Sequence, residues 1–380
     1  MVTIERQYKL FDIFLLLLVV GISIFGIVLI GSATQISDEH IPDIYARQRI
    51  FVVTGIIVLF VMAFVDYQFI CKFYIAIYFF NLMLLGIVLM IPTETHNVAR
   101  WINLGFFTIQ PSEFTKIFMI IALAKFIDKK NEKINNIPVI LLIFIITLIP
   151  VILIQQQPSL SASLVTLVVM VVMLFIGGLN YKYILITLII IAPVVVIFLY
   201  DLALEEHIFL DRVLREYQLN RLYAWRDPES FPDIASQTTQ SIQALASGQL
   251  TGRGIRGGII HNYRFVPLAE NDFIFAVVGE EFGFIGAFFV LLTMLLIILR
   301  CLVIAHKSAD NLGKLLATGI GTMIAFQTFV NVCVATGILP NTGMPFPFLS
   351  SGGSSLWVNM ASIGLVINIG MSKQKSIFEG

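Results

Sequence analysis

Charge is what this 380-residue sequence has least of. Only 13% of its residues are Asp, Glu, Lys or Arg, against roughly a quarter in ordinary soluble domains. Lipid does not hydrate ions, so a chain that lives in it collects its charges in loops. Basic and acidic residues balance at 24 each, and no basic tail or Lys-rich block is present, which leaves nothing to attract nucleic acid. Cysteine is scarce too: Cys71, Cys301 and Cys333 lie in or beside apolar runs, at spacings that suit neither a metal nor a redox motif. A cleavable leader is not expected either. The first apolar run, Phe11 to Ile30, is too long for a signal-peptide core and lacks a small-x-small site, so it reads as a retained first helix.

What the sequence has instead is a succession of apolar runs, with 58% apolar residues and a mean hydropathy of +0.92. A helix needs about 20 residues to cross roughly 30 Å of hydrocarbon. Ten segments meet or approach that length, at 11–33, 48–65, 70–91, 112–127, 137–154, 160–178, 181–200, 273–299, 312–336 and 354–372. The expected fold is all-α: a polytopic integral membrane protein forming one membrane domain over 1–380. A large extracytoplasmic loop, 201–272, joins the seventh and eighth helices.

Loop charges orient it. With the N-terminus inside, the cytoplasmic side collects Arg6, Lys9, Lys72, Lys125, Lys129, Lys130, Lys133, Lys182, Arg300, Lys307, Lys314, Lys373 and Lys375. The outer short loops hold only Arg47, Arg49 and Arg100. That is the positive-inside bias, and an even number of spans puts both termini in the cytoplasm.

Four outer clusters carry chemistry. The long loop holds Arg212, Arg215, Arg221, Arg226, Arg253, Arg256 and Arg264 and no lysine. A guanidinium fork grips phosphate oxygens in pairs, which suits a lipid diphosphate, although headgroup contacts and ion pairs with Glu205, Glu206, Asp211, Glu216, Asp227 and Asp233 are the plainer use for any one of them. Within this loop, Ser236–Ser247 reads as a short helix stopped by Gly248, with Ile242 and Leu245 toward the membrane. Gly252–Gly258 matches GxGxxG, but no strand precedes it, so it is read as a flexible glycine hinge and not a dinucleotide site.

Asp272 stands where the chain re-enters the membrane. A helix cap is the bland role for it. With Glu280 and Glu281 two turns deeper, it would supply a general base and leave room for a divalent cation, Mg²⁺ or Mn²⁺. The third cluster joins Arg100 and Trp101 to Glu113 and Lys116, three apart and able to pair on one helix face. The fourth is 339–355, with three prolines, three glycines and the serines Ser350 and Ser351; such backbone survives at membrane depth only when buried in protein or lining a cavity. Gln327 and Asn331, one turn apart, are expected to bond helix to helix.

These blocks, in this order, resemble the SEDS (shape, elongation, division, sporulation) family, whose branches include RodA, FtsW and SpoVE. The matching stretches are ARWINLG at 99–105 with QPSEFTK at 110–116, SIQALASGQLTGRG at 241–254, NDFIFAVVGEEFGFIG at 271–286 and TGILPNTGMPFPFLSSGGSS at 336–355. Ser32-Ala33 and Asp66-Tyr67 also fit, so the resemblance spans essentially the whole chain. It implies a peptidoglycan glycosyltransferase acting outside the cytoplasmic membrane. Asp272 would deprotonate the GlcNAc 4-hydroxyl of lipid II for attack on the growing strand, and undecaprenyl diphosphate would leave. Arg100, Trp101, Glu113, Lys116, Arg212, Arg215, Arg221, Glu280, Glu281, Ser350 and Ser351 are the substrate-binding candidates. A class B penicillin-binding transpeptidase is the implied partner.

One departure stands out: where the family has a QPDLGT-like turn, this chain reads Gln157-Pro158-Ser159-Leu160-Ser161-Ala162, with serine at the acidic position. Length, short termini and the Lys125–Lys133 loop favour the RodA-like branch, while AWRDPES at 224–230 suits FtsW-like proteins equally. A flippase for lipid-linked precursors, or a non-catalytic scaffold for the transpeptidase, are the competing functions.

Overall fold

The computed structural model describes residues 4–6, 11–34, 42–91, 100–103, 105, 107–157, 159–203, 216–258 and 270–374. Arg212, Arg215 and Arg264 lie outside the described residues. All ten apolar segments are helical: α1 (Ile13–Thr34), α2 (Pro42–Phe64), α3 (Tyr67–Lys72) with α4 (Tyr74–Met90), α5 (Pro111–Lys129), α6 (Ile137–Gln156), α7 (Leu160–Ile176) and α8 (Tyr181–Ala203). In the long loop lie α9 (Glu216–Arg226) and α10 (Pro232–Gly248), followed by α11 (Ile274–His306), α12 (Asn311–Ala335) and α13 (Gly353–Gly370). Six of these, α1, α2, α6, α11, α12 and α13, are long and apolar enough to cross a membrane, and α4 and α7 are shorter apolar helices.

The helices sort by what surrounds them. Along α12 and α13, 72% of the apolar window is buried in protein; along α2, α6 and α11 only 28% is, and side chains such as Ile57, Leu148 and Phe289 face outward. A helix apolar all round that leaves most of that surface bare is in contact with lipid. The central pair holds the bundle together: α13 lies against α2, and α12 against α11, α7 and α5. At one end, Asp310 caps α12 by accepting from Gly313 N at 2.8 Å and also takes the Tyr67 hydroxyl at 2.9 Å. At the same end, two short strands, β1 (Ile4–Arg6) and β4 (Ser372–Gln374), pair antiparallel and bring the described ends of the chain together.

The opposite end is built from irregular backbone, and α11 shows how. Gly283 sits at φ 64°, ψ −163°, breaking the helix nine residues in. The groups freed by the break are taken up by the stretch just after α10: Phe284 N and Ile285 N donate to Gln249 O (2.8 Å) and Leu250 O (3.1 Å), while Arg253 N and Gly254 N donate to Glu280 O (3.0 Å) and Glu281 O (2.9 Å). That close approach requires glycine. A Cβ on Gly252 would lie 2.1 Å from Glu281 O, and one on Gly248 only 1.8 Å from Gly279 O. The glycine run is therefore a backbone clamp; the hinge expected from sequence does not form, because its amides are needed to finish the broken helix.

Two smaller expectations shift with it. Helix α10 starts at Pro232, four residues before the sequence-based start, since proline is at home in a first helical turn. Leu245 closes on Gly279 and does not face lipid, whereas Ile242 stays exposed.

Replacing Gly283 with alanine tests the clamp. It forces an L-residue into a region reserved for glycine and against Gly252 N, so we expect a loss of about 1–3 kcal/mol, read as a lowered melting temperature in detergent. An unchanged melting curve would mean the break can relax away.

Candidate active site

Six segments, with the first turns of α2 beside them, converge at the clamp end of the bundle around a cavity of about 860 Å³. The first is the hairpin of β2 (Ile102–Asn103) and β3 (Thr108–Ile109), which carries Arg100 and Trp101 on its leading side. Then come the starts of α5 and α7, the helix α9, the Asn271-Asp272 turn before α11, and the 339–355 loop. Of the candidates named from sequence, Arg100, Trp101, Glu113, Arg221, Asp272 and Ser351 line this one space. The cavity also takes Ser159 and Ser161, so the position where the family pattern has an acid faces the same chamber.

Asp272 is held by its backbone. Asn331 Nδ2 of α12 donates to Asp272 O (2.8 Å) and to Met344 O (2.7 Å), tying the turn to the proline-rich loop. Ser350 Oγ donates to Asn271 O and accepts from Phe346 N at 2.8 Å, and Ser351 N donates to Glu270 O at 2.8 Å. Asn331 was expected to bond helix to helix; it serves these loops because three prolines leave the 339–355 stretch short of internal hydrogen bonds. Ser350 supports the turn from behind and does not line the cavity.

The Asp272 carboxyl stays at the cavity wall. Burial drives its pKa up from 3.8 to about 6, against the pull of Arg221 and Arg100, with Glu113 and Glu270 adding to the rise. Arginines reach the chamber from three elements: Arg47 from α2, Arg100 from beside β2 and Arg221 from α9. Arg221 Nη1 donates to Asn341 O at 3.0 Å, and Arg100 Nε donates to Gln157 O at 3.0 Å. Burial and the neighbouring Arg221 lower the Arg100 pKa. A Cβ placed on Gly343, at φ +68°, would lie 3.5 Å from Asp272 Oδ2 and 3.8 Å from Arg221 Nη1, so acid and base flank a bare stretch of backbone.

Glu113 and Lys116 form the expected pair, 2.7 Å apart with side chains 7% and 2% exposed. Only Glu113 reaches the cavity; Lys116 lies beneath it. Glu280 and Glu281 correct the sequence reading. Both are buried and neither lines the cavity; the helix turns Glu281 toward α1 and the clamp, where it accepts from the Ser32 hydroxyl and, at 3.1 Å, from Arg256 N. The three-carboxylate arrangement that would hold a divalent cation is thus not formed, and no group of three His, Cys, Asp or Glu with ligand geometry occurs among the described residues. A separate apolar groove of about 610 Å³ runs between α1 and α11 past Phe25, Phe282 and Phe289 and shares no lining residue with the cavity.

Sequence reasoning missed part of the wall: Tyr217, Gln218 and Trp225 from α9, and Asn341 and Thr342 from the loop. Their signal was faint, since an isolated amide or aromatic residue in a polar loop has no periodicity to mark it.

Fold and site together define a multi-pass helical membrane protein with a charged chamber at one end, a carboxylate at its wall and guanidinium groups beside it. The family model described as "Cell cycle protein", FtsW/RodA/SpoVE, matches residues 11–375, and the chain belongs to that family. It is 34% identical to the probable peptidoglycan glycosyltransferase FtsW of Trichlorobacter lovleyi, over 96% of this chain and 95% of that one. It is 32% identical to the stage V sporulation protein E of Bacillus subtilis, over 94% and 96%. Among solved structures it resembles a chain from work described as "Structural coordination of polymerization and crosslinking by a peptidoglycan synthase complex", with TM-score 0.79, 28% identity and coverage of 95% and 97%. It also resembles the rod shape determining protein RodA of Thermus thermophilus, with TM-score 0.68, 26% identity and coverage of 95% and 96%. Relatives from all three named branches appear, so the comparisons do not separate the RodA-like branch favoured by length and termini from the others.

The buried ion pair gives a test of the site's construction. Glu113→Gln or Lys116→Met alone should cost about 3–5 kcal/mol, because each strands a buried charge, and the double variant should recover much of that loss. Thermal unfolding of the three variants measures it; additive losses would mean the two charges are solvated independently.

Proposed function

We propose that this chain is a peptidoglycan polymerase that works at the outer face of a bacterial cytoplasmic membrane. The growing glycan strand, carried on undecaprenyl diphosphate, is the donor, and lipid II is the acceptor. Asp272 takes the proton from the GlcNAc 4-hydroxyl of lipid II as that oxygen attacks C1 of the strand's terminal MurNAc. The C1–O bond to the diphosphate breaks, and a β-1,4 linkage forms with inversion. Arg221 and Arg100 face the departing diphosphate, where the guanidinium fork matches paired phosphate oxygens.

The observation that carries this reading is the placement of Asp272. A carboxylate between two arginines, on the wall of an 860 Å³ chamber, is a base beside an anion site at the membrane surface. A base with pKa near 6 is ionised at neutral pH yet stronger than an exposed carboxylate, which is the balance general-base catalysis asks for. The FtsW relatives are named probable peptidoglycan glycosyltransferases, and a chain from a synthase complex shares the fold, which supports a transpeptidase partner for this protein. No step is routed through a divalent cation: Asp272 and Glu113 make a thin ligand set, and Lys116 already engages one oxygen of Glu113.

Polymerisation of purified lipid II in liposomes, with a transpeptidase whose own active site is disabled, tests the proposal. Glycan strands should form, and Asp272→Ala should abolish them while the protein stays folded. The wild-type rate should rise with pH through about 6 and level off above it, since the base acts deprotonated. Stability should move the other way. A carboxyl whose pKa is raised by folding weakens the fold as pH climbs from 3.8 through about 6, so Asp272→Asn should be more stable than wild type at neutral pH by about 1–3 kcal/mol, with the gap closing below pH 3.8. Strands from Asp272→Ala would remove it as the base, and no strands from wild type would return weight to the flippase or scaffold reading. Arg221→Lys should raise KM for lipid II about tenfold through loss of the fork; unchanged kinetics would take Arg221 away from the diphosphate.

A further inference from the structure

A second, smaller hollow of about 370 Å³ opens beside the chamber, between α9, α10 and the start of the 339–355 loop. It shares Arg221, Trp225 and Asn341 with the chamber, so the two spaces meet across one wall. Its remaining polar lining comes from α10: Asp233, Gln237, Thr238 and Thr239.

This chemistry differs from that of the chamber. The hollow has hydroxyls, amides and one carboxylate, and an aromatic ring. Its only cation among the described residues, Arg221, is already engaged with Asn341 O at 3.0 Å. A diphosphate finds little to hold it there, and a lipid tail would strand the polar groups. Neutral polyols with apolar ring faces fit: sugars present hydroxyls at their edges and C–H surfaces above and below the ring. The parts are also fixed in place. Trp225 Nε1 donates to Gly337 O at 2.8 Å, which anchors the indole, and Asn341 Nδ2 donates to Gln237 Oε1 at 3.1 Å, which spans the two sides. A volume of about 370 Å³ is in the range of sites that take a small ligand.

We propose that this hollow is a saccharide subsite that holds N-acetylated sugar rings of the growing strand, one step beyond the unit that reacts at Asp272. The inference rests on the polymerase reading above and adds to it where the strand lies. A bound ring there keeps the strand on the enzyme between additions, so the subsite sets strand length and leaves the first condensation, between two lipid II molecules, alone. Arg221 and Trp225 form the common wall, which makes the strand's path continuous from the reacting centre to the subsite.

The test uses the full-length protein in liposomes with three substitutions confined to the side hollow: Asp233→Ala, Gln237→Ala and Thr239→Phe. For each, the initial rate of lipid II dimerisation and the length distribution of the strands are measured. We expect dimerisation within about twofold of wild type, and use of a synthetic lipid-linked tetrasaccharide donor weakened about tenfold, the equivalent of one lost hydrogen bond. Strands should be shorter throughout. Melting curves exclude misfolded variants, and tryptophan fluorescence with a soluble β-1,4-linked N-acetylated oligosaccharide gives a second reading, with a response in wild type that Asp233→Ala and Gln237→Ala weaken. Wild-type strands whose length ignores all three substitutions would overturn the subsite and leave the polymerase standing. Dimerisation lost in step with elongation would also overturn it, by placing these residues in the reacting chamber. No strands from wild type would overturn both.

Discussion

Backbone amides at membrane depth have no water to bond, and this constraint shapes the functional end of the molecule. A helix that runs unbroken meets it alone. Helix α11 does not, because Gly283 at φ 64° opens its ladder, and the cost of orphaned N–H and C=O groups in hydrocarbon is several kcal/mol each. The remedy is a second strand of backbone, residues 249–254, laid against the break with four hydrogen bonds. Since that segment follows α10 directly, satisfying the break also fixes α10 against α11. The wall of the side hollow is thus placed by a requirement of the membrane interior.

The same constraint explains why Asp272 is so firmly located. The 339–355 loop cannot be helical, since Pro340, Pro345 and Pro347 interrupt it, so its polar backbone must be served by side chains. Asn331 and Ser350 provide that service, and in doing so each also bonds the turn that carries the acid. Holding the main chain at Glu270, Asn271 and Asp272 positions the carboxylate without spending its own oxygens. That suits the proton-accepting role proposed for it.

Much of this was legible in the sequence, and the limits are instructive. Apolar runs and scarce charge specify the helices because lipid punishes every exception. Glu113 and Lys116 are readable as a pair from their spacing alone. What failed was anything that depends on direction. Glu280 and Glu281 looked like partners for Asp272, yet neither lines the chamber, and Glu281 bonds Ser32 and Arg256 N, since a helical acid's bearing is set by packing and not by its distance along the chain. The glycine run looked flexible because glycine signals freedom locally; here it signals a backbone approaching to 2.1 Å of where a Cβ would stand. Tyr217, Gln218 and Trp225 escaped notice because their role emerges only when α9 is folded over the chamber.

The charges in that chamber follow from the same geometry. The guanidinium groups of Arg47, Arg100 and Arg221 and the carboxylates of Asp272 and Glu113 line one space, so positive charge outweighs negative among its described residues, which suits an incoming diphosphate. Arg100 and Arg221 each spend one N–H on a carbonyl, which fixes the direction of each guanidinium. Asp272, by contrast, is pushed toward protonation by burial despite both cations beside it. Desolvation therefore wins over attraction in the empty chamber. A bound diphosphate would neutralise the arginines and push the Asp272 pKa higher still, making it a stronger base just when an acceptor hydroxyl arrives. Its departure after transfer would reverse that, releasing the proton Asp272 had gained.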